Sequence, residues 1–210
     1  MKKRNFHSSG FTIIEILTVL AVASILLSLS VTAFQSLSRS SGLTAGVSNL
    51  SSLLERAQVY AMANSTYVYL GLDTTTSPGD MEVSTMFSPT ADSTTTSNLL
   101  PVGKSVILSK INLSTALQVQ SHVTGAATGT SVVDAAASQI HSIQMQAGGK
   151  TYTCNYVIKF APDGTATAQT NGISRWIQIG LTPNAVASSS PNMALIQVTG
   201  LTGCVQVFRP

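Results

Sequence analysis

Charged side chains are scarce in this chain. Lysine, arginine, aspartate and glutamate together make up 9% of its 210 residues, against about a quarter in typical soluble domains. Cysteine is rarer still: there are two, and neither a Cys-x-x-Cys pair nor a cluster of histidines accompanies them. The sequence therefore predicts no metal site, because zinc sites are built from such groups of cysteine and histidine.

The motifs of common enzyme classes are also missing. The chain has no Walker loop, no dinucleotide-binding fingerprint, no Gly-x-Ser-x-Gly elbow and no His-Glu-x-x-His pair. None of its three histidines belongs to such a motif. We therefore predict a protein that is not an enzyme, with no catalytic residues, no cofactor and no small-molecule substrate.

The net positive charge is confined to the first residues. Of the eleven basic residues, Lys2, Lys3 and Arg4 lie within residues 1–10, which contain none of the eight acidic residues. Residues 11–210 therefore carry eight basic and eight acidic side chains. A neutral chain gives little electrostatic attraction for nucleic acid, so binding to DNA or RNA is not expected.

What the chain does contain is one long apolar run. Residues 11–34 carry a single charge, on Glu15, and a helix of that length covers about 36 Å, more than the roughly 30 Å of a bilayer's hydrocarbon core. The run therefore predicts a transmembrane helix. A carboxylate inside such a helix costs about 2.5–3.5 kcal/mol, which predicts a partner for Glu15.

The basic residues in front of the run are typical of a targeting leader. One explanation is a secretory signal peptide that is cleaved after Ala21-Val22-Ala23. That cut would fall in the middle of the apolar run and would leave Glu15 inside the signal's apolar core. A second explanation is a plain anchor helix that is never cleaved.

A third explanation comes from the boundary between the leader and the run, which reads Gly10-Phe11-Thr12-Ile13-Ile14-Glu15. This stretch resembles the prepilin processing motif of type IV pilins and type II secretion pseudopilins. The resemblance implies that a prepilin peptidase removes residues 1–10 by cutting after Gly10 and then N-methylates Phe11. It also implies that Glu15 neutralises the α-amino group of Phe11, its own or a neighbour's, inside a filament. The alternative is a glutamate that reaches the cytoplasmic headgroups.

Residues 35–64 show helical periodicity in their second half. Apolar residues recur there at spacings of three and four: Leu43, Val47, Leu50, Leu54, Ala57 and Ala61. The pattern predicts an amphipathic helix that continues from the apolar run and packs on a globular head. Gly42 and Gly46 each weaken a helix by about 1 kcal/mol, which predicts a bend or local melting between residues 35 and 48.

Residues 65–210 form the predicted head, which is rich in β structure. Alternating and β-branched stretches predict strands at residues 66–72, 106–108, 117–119, 152–160, 166–169, 175–181, 194–199 and 204–208. The last two strands form a predicted hairpin. Residues 73–98 are rich in serine and threonine, and we predict mostly exposed loop there with at most one short strand.

These elements give an α+β fold class, in which a long N-terminal transmembrane helix packs by its C-terminal half on an antiparallel β-sheet head. The helix ending, a turn from Phe160 to Gly164 and the terminal hairpin resemble GspH/FimT-type minor pseudopilins. The resemblance implies a structural subunit of a type II secretion pseudopilus or type IV pilus. Its implied partners are the prepilin peptidase, other pilins of the filament and inner-membrane lipid, and its head lies in the bacterial periplasm.

Two further expectations depend on this family. A DNA-binding minor pilin is the alternative function, but the basic residues of that group's Gly-Arg-x-Arg stretch are absent from residues 203–206, where Arg209 is the nearest cation. The oxidising periplasm predicts a disulfide between Cys154 and Cys204. Two free thiols are the alternative.

Overall fold

One helix and a β-rich head make up the described part of the protein. The structure is a computed structural model, and it describes residues 12–77, 79–90, 99–114, 123, 125–126, 130–131, 143–147, 150–168, 174–183 and 192–210. Contacts divide the chain into two compact units, Met1–Ser38 and Arg39–Pro210. The helix α1 (Ile13–Ala63) contains residues of both units.

The described strands all follow α1 and belong to the second unit. They are β1 (Val68–Ser77), β2 (Asp80–Phe87), β3 (Leu100–Pro101), β4 (Val106–Ser109), β5 (Ile111–Ser114), β6 (Thr130–Ser131), β7 (Ile143–Ala147), β8 (Lys150–Cys154), β9 (Tyr156–Phe160), β10 (Ala166–Thr167), β11 (Trp176–Pro183), β12 (Ala194–Thr199) and β13 (Val205–Phe208). The predicted α+β order, a helix followed by antiparallel sheets, is confirmed.

The strands form two sheets and a separate hairpin. The first sheet has the order β10-β9-β1-β2-β3, with β4 also paired to β2, and its pairs are antiparallel. The second has the order β13-β12-β11-β5, with β6 parallel to β11. β7 and β8 pair only with each other among the described strands. The amide of Ala166 donates to the carbonyl of Gly200 at 2.7 Å and so joins the two sheets at one end.

The core lies between the second half of α1 and both sheets. The predicted apolar stripe of the helix is buried throughout: Leu43, Val47, Leu50, Leu54, Ala57 and Ala61 are each at most 2% exposed. They belong to one cluster with Leu70 and Phe160 of the first sheet and Ile179 and Val198 of the second. The periodicity thus identified the face of α1 that packs on the head.

Of the bend or local melting predicted between residues 35 and 48, the melting is wrong, because the helix is unbroken from residue 13 to residue 63. Gly46 is buried, and a Cβ atom there would overlap the Cδ1 atom of Ile111. Among the described residues, no atom lies within 4 Å of the position that a Cβ at Gly42 would occupy. Gly46 therefore allows the side chain of Ile111 to approach the helix closely, and does not interrupt the helix.

The prediction of an exposed loop over residues 73–98 is also wrong for its first half. β1 extends to Ser77, and β2 pairs with it through contacts that include Leu72↔Val83 and Asp73↔Glu82. Met81, Val83 and Met86 of β2 are buried. The serines and threonines between these apolar residues lowered the apparent hydrophobicity, although threonine is itself favourable in strands.

The strand predicted at residues 152–160 is two strands. β8 ends at Cys154 and pairs with β7, whereas β9 begins at Tyr156 and pairs with β1 and β10. The strand predicted at 194–199 is confirmed with the same ends, and those predicted near residues 106, 166, 175 and 204 are confirmed with shifted ends. The hairpin of β12 and β13 is also confirmed. The strand predicted at 117–119 lies outside the described residues.

The turn after β9 is the predicted one. Gly164 has φ +87°, which an L-residue rarely adopts. Asp163 accepts hydrogen bonds from the backbone amide of Thr165 at 3.0 Å and from its hydroxyl at 2.7 Å. These two donors hold the pKa of the Asp163 carboxyl below its usual range, because they stabilise its charged form.

Candidate functional site

The first turn of α1 is closed by a side-chain cap. Thr12 precedes the helix, and its Oγ1 accepts a hydrogen bond from the amide of Glu15 at 3.3 Å. The carbonyl of Thr12 also accepts from the amides of Glu15 and Ile16, at 3.1 and 3.2 Å. Thr12 and Glu15 have the Thr-x-x-Glu spacing of a capping box, and an acidic residue in the first turn also favours the helix dipole. The sequence analysis missed this local role, although the spacing signals it.

Behind this cap, α1 exposes apolar side chains on every side. The exposed residues are Ile13, Ile14, Ile16, Leu17, Val19, Leu20, Val22, Ile25, Leu26 and Leu27, at 51–82% of their full accessible area. Because successive residues turn by about 100° around a helix, this set leaves no polar face. A helix that is apolar all round requires apolar surroundings from outside the chain.

The hydroxyl groups of this segment are satisfied within the helix itself. Thr18 donates to the carbonyl of Glu15 at 2.9 Å, and Ser24 donates to that of Leu20 at 2.7 Å. Ser28 and Ser30 donate in the same way, to carbonyls three and four residues earlier. Each hydroxyl proton therefore has an acceptor without water, as an apolar environment demands.

Glu15 is the polar exception. It is exposed, and residues 11–38 contain no lysine, arginine or histidine. Once residues 1–10 are removed, a cation that neutralises it has to come from the N-terminus, from a residue beyond position 38 or from another subunit. Gly10 and Phe11, the predicted processing residues, lie outside the described residues.

Within the described residues, the structure contains no helical stretch that is long and apolar enough to cross a membrane. The predicted transmembrane helix is therefore not confirmed.

The described residues contain no cluster that could bind a metal ion. No group of three or more histidine, cysteine, aspartate or glutamate side chains within them is arranged for this purpose. His7, His122 and His141 all lie outside the part of the chain that the structure describes.

The structure does not form the predicted disulfide, because both cysteines are free. Cys154 ends β8 and is buried in a small cluster with Tyr69, Met86 and Val157. Cys204 is exposed in the turn before β13 of the second sheet, whereas β8 belongs to the separate β7–β8 hairpin. The prediction failed because the spacing of two cysteines does not say which sheet will hold each of them.

The two thiols are expected to differ strongly in reactivity. Burial, reinforced by the charges of Asp73 and Glu82, raises the pKa of the Cys154 thiol to about 12. In the folded chain at pH 8, one thiol, Cys204, should therefore react with a water-soluble maleimide, and Cys154 should react only on unfolding. Mass spectrometry of Cys204→Ser, with Cys154→Ser as the matched control, checks this assignment.

Two observations would contradict it. One is a Cys204 that resists labelling under non-reducing conditions, and the other is equal labelling of both thiols in the folded chain.

The raised pKa of the Cys154 thiol also predicts how the stability of the protein changes with pH. The unfolded chain loses the thiol proton near pH 9.0, whereas the folded chain keeps it until about 12. Stability should therefore fall as the pH rises through this window, and Cys154→Ser should lack that loss.

Comparison with known families identifies the N-terminal segment. Residues 5–31 match the prokaryotic N-terminal methylation motif. The match indicates a protein similar to type IV pilins and pseudopilins. It implies processing by a prepilin peptidase and assembly with other pilins, and it points to a structural protein rather than an enzyme. Curated proteins and solved structures gave no match.

Proposed function

We propose that the protein is a minor pilin or pseudopilin, a structural subunit of a type II secretion pseudopilus or a type IV pilus. In this proposal, the prepilin peptidase cuts after Gly10 and N-methylates Phe11, and α1 then packs against the helices of other subunits. The observation that carries the proposal is the methylation motif at residues 5–31, which includes the helical segment with exposed apolar side chains on all sides.

We also propose that residues 11–34 hold the subunit in the bacterial inner membrane before assembly, with the head in the periplasm. The length and composition of this run support the proposal, as do the internal hydrogen bonds of Thr18 and Ser24. Neither lipid nor a bundle of apolar helices supplies water, so in both environments each hydroxyl group needs a hydrogen-bond partner within the protein.

Within the filament, Glu15 is proposed to neutralise the α-amino group of Phe11, its own or a neighbour's. The absence of any basic residue between positions 11 and 38 supports this pairing. An ionised carboxylate that leaves water without a partner costs several kcal/mol, so the pairing would favour one axial register between neighbours.

We assign the head to the GspH/FimT-type group within this proposal. The head follows α1 after a four-residue connection, 64–67, with β1 next to β9 in the sheet. The turn from Phe160 to Gly164 and the hairpin of β12 and β13 also agree with this group.

Processing and incorporation can be tested on the full chain. When it is expressed with a prepilin peptidase, its intact mass should fall by residues 1–10 and rise by one methyl group. Gly10→Val should keep the full mass and remain in the membrane fraction. An unprocessed wild-type chain would contradict the proposed function.

Glu15 is then tested in cells that assemble the filament. Both Glu15→Ala and Glu15→Gln should reduce incorporation into sheared filaments by at least about tenfold, because each leaves the α-amino group unpaired. Glutamine keeps the capping position, so Glu15→Gln separates the charge from the cap. Wild-type incorporation of Glu15→Gln would remove the pairing role, and a loss confined to Glu15→Ala would assign the effect to the cap.

A further inference from the structure

The C-terminal end of α1 fixes the backbone of Met62. The amide of Thr66 donates to the carbonyl of Ala61 at 3.1 Å, and the amide of Ser65 donates to the carbonyl of Met62 at 3.4 Å. Ser65 has a φ of 48°. This pair of bonds, with a residue of positive φ after the helix, is a Schellman motif. The backbone of Met62 is therefore fixed, and its side chain is the part that can change position.

The side chain of Met62 packs against the turn after β9. Its Sδ atom lies 3.1 Å from the position that a Cβ at Gly164 would occupy, so the thioether fills space that the glycine leaves open. The amide of Gly164 donates to the carbonyl of Ala161 at 3.0 Å and closes this turn. Ala166, two residues after the turn, joins the first sheet to the second. Met62 thus connects the end of α1 to the place where the sheets meet.

Met62 is also open to solvent. It is 42% exposed, and Val59, one turn earlier on α1, is 58% exposed. The other methionines whose burial the structure describes are at most 2% exposed: Met81, Met86 and Met193. A small oxidant reaches an exposed thioether directly, whereas it reaches a buried one only when the protein opens locally.

We propose that Met62 is a site of reversible oxidation, and that its oxidation loosens the contact between α1 and the turn after β9. The oxidant is hydrogen peroxide: its O–O bond breaks, an S–O bond forms, the sulfur loses two electrons and water leaves. Methionine sulfoxide reductases reverse the step with two electrons from thiols, and the oxygen leaves as water. The inference goes beyond the proposed function and does not depend on it.

Oxidation changes what this side chain can pack against. The thioether is apolar, whereas the sulfoxide is polar and its oxygen accepts hydrogen bonds. Gly164 has no side chain, and its one N–H already donates to Ala161. The sulfoxide oxygen therefore turns toward water, and the sulfur moves away from Gly164. Without this contact, the turn opens more often.

The selectivity of the oxidation is measured on the full chain in detergent micelles. A Cys204→Ser background is used, because the exposed thiol would also react with peroxide. After treatment with dilute hydrogen peroxide, the sulfoxide at each methionine is quantified by mass spectrometry of the peptides. Met62 should be oxidised at least about tenfold faster than Met81, Met86 and Met193.

The consequence for the turn is measured by amide hydrogen exchange, residue by residue. The amide of Gly164 should exchange about threefold faster in the oxidised chain, because its hydrogen bond opens more often. The amide of Lys110, which donates to Asp80 at 3.0 Å, is the internal reference and should not change. Reduction by methionine sulfoxide reductases with dithiothreitol should restore the original rate at Gly164.

Matched variants separate the oxidation of Met62 from other effects of peroxide. Met62→Leu keeps an apolar side chain against the turn and cannot be oxidised, so peroxide should leave the exchange of Gly164 unchanged. Met62→Gln places a polar group there, so it should speed the exchange of Gly164 without peroxide. The same substitutions should leave the exchange of Lys110 unchanged.

Three outcomes overturn the proposal. The first is oxidation of Met62 no faster than that of the three buried methionines. The second is unchanged exchange of Gly164 in a chain whose Met62 is fully oxidised. The third is an equal effect of peroxide on Gly164 in Met62→Leu and in the parent chain, which would assign the effect to another residue.

Discussion

Replacing Gly203 with alanine should lower the free energy of unfolding by about 2–4 kcal/mol. Gly203 has φ +65°, and a Cβ there would lie 2.6 Å from the carbonyl oxygen of Gly164 and 2.6 Å from Nε2 of Gln58. The glutamine can move only by giving up its hydrogen bond to Thr202, and the backbone oxygen cannot move without disturbing the turn after β9.

The control for Gly203→Ala is Gly125→Ala. Gly125 has φ +90°, but the nearest atom to its Cβ position is Cε1 of Phe208 at an ordinary 3.9 Å. This variant therefore has the backbone strain, about 1–2 kcal/mol, without an overlap with any described residue. Urea unfolding of the full chain in detergent, followed by circular dichroism, measures both. If Gly203→Ala costs no more than Gly125→Ala, the close approach of the two turns contributes nothing.

Alanine at the two glycines of α1 should change stability in opposite directions. Gly42→Ala should stabilise by up to about 1 kcal/mol, because alanine favours the helix and nothing lies near its Cβ. Gly46→Ala should destabilise by about 1–2 kcal/mol, because its Cβ overlaps Ile111. Ile111 is 1% exposed and belongs to the main core cluster, so moving it would disturb other buried side chains.

A second variant tests the cause of this difference. Ile111→Val removes the Cδ1 atom that the new Cβ would overlap, at a cost of about 1 kcal/mol by itself. In the Ile111→Val chain, Gly46→Ala should be neutral or stabilising. The free energies of unfolding of the wild type, Gly46→Ala, Ile111→Val and the double variant form a double-mutant cycle. Equal effects of Gly46→Ala in both backgrounds would show that the overlap is not the cause.

Features that depend on neighbours in sequence were predictable. The match of residues 5–31 to the N-terminal methylation motif was predictable from Gly10, Phe11 and Glu15, because such a motif is a short local stretch. The buried face of α1 follows from the spacing of Leu50, Leu54 and its other apolar residues, because one helical period places them on one side. The hairpin of β12 and β13 was predictable for the same reason, since its strands are joined by a short turn.

Features that depend on distant partners were not predictable. Apolar and polar residues alternate through residues 152–160 except at Val157, yet β8 and β9 pair with different strands on either side of Asn155. Serine and threonine hid the continuation of β1 and most of β2. The roles of Gly42 and Gly46 differ only because Ile111, more than sixty positions later, packs against one of them.

The sequence by itself determined the N-terminal segment: a basic leader, a processing motif and an apolar helix with one carboxylate. It determined this because the relevant chemistry lies within a few consecutive residues. Tertiary structure alone decided that Cys154 is buried at the end of the β7–β8 hairpin and Cys204 is exposed beside the second sheet, and that Gly203 meets Gly164. Each of these depends on which strands become neighbours, and strand neighbours are chosen by packing over the whole core.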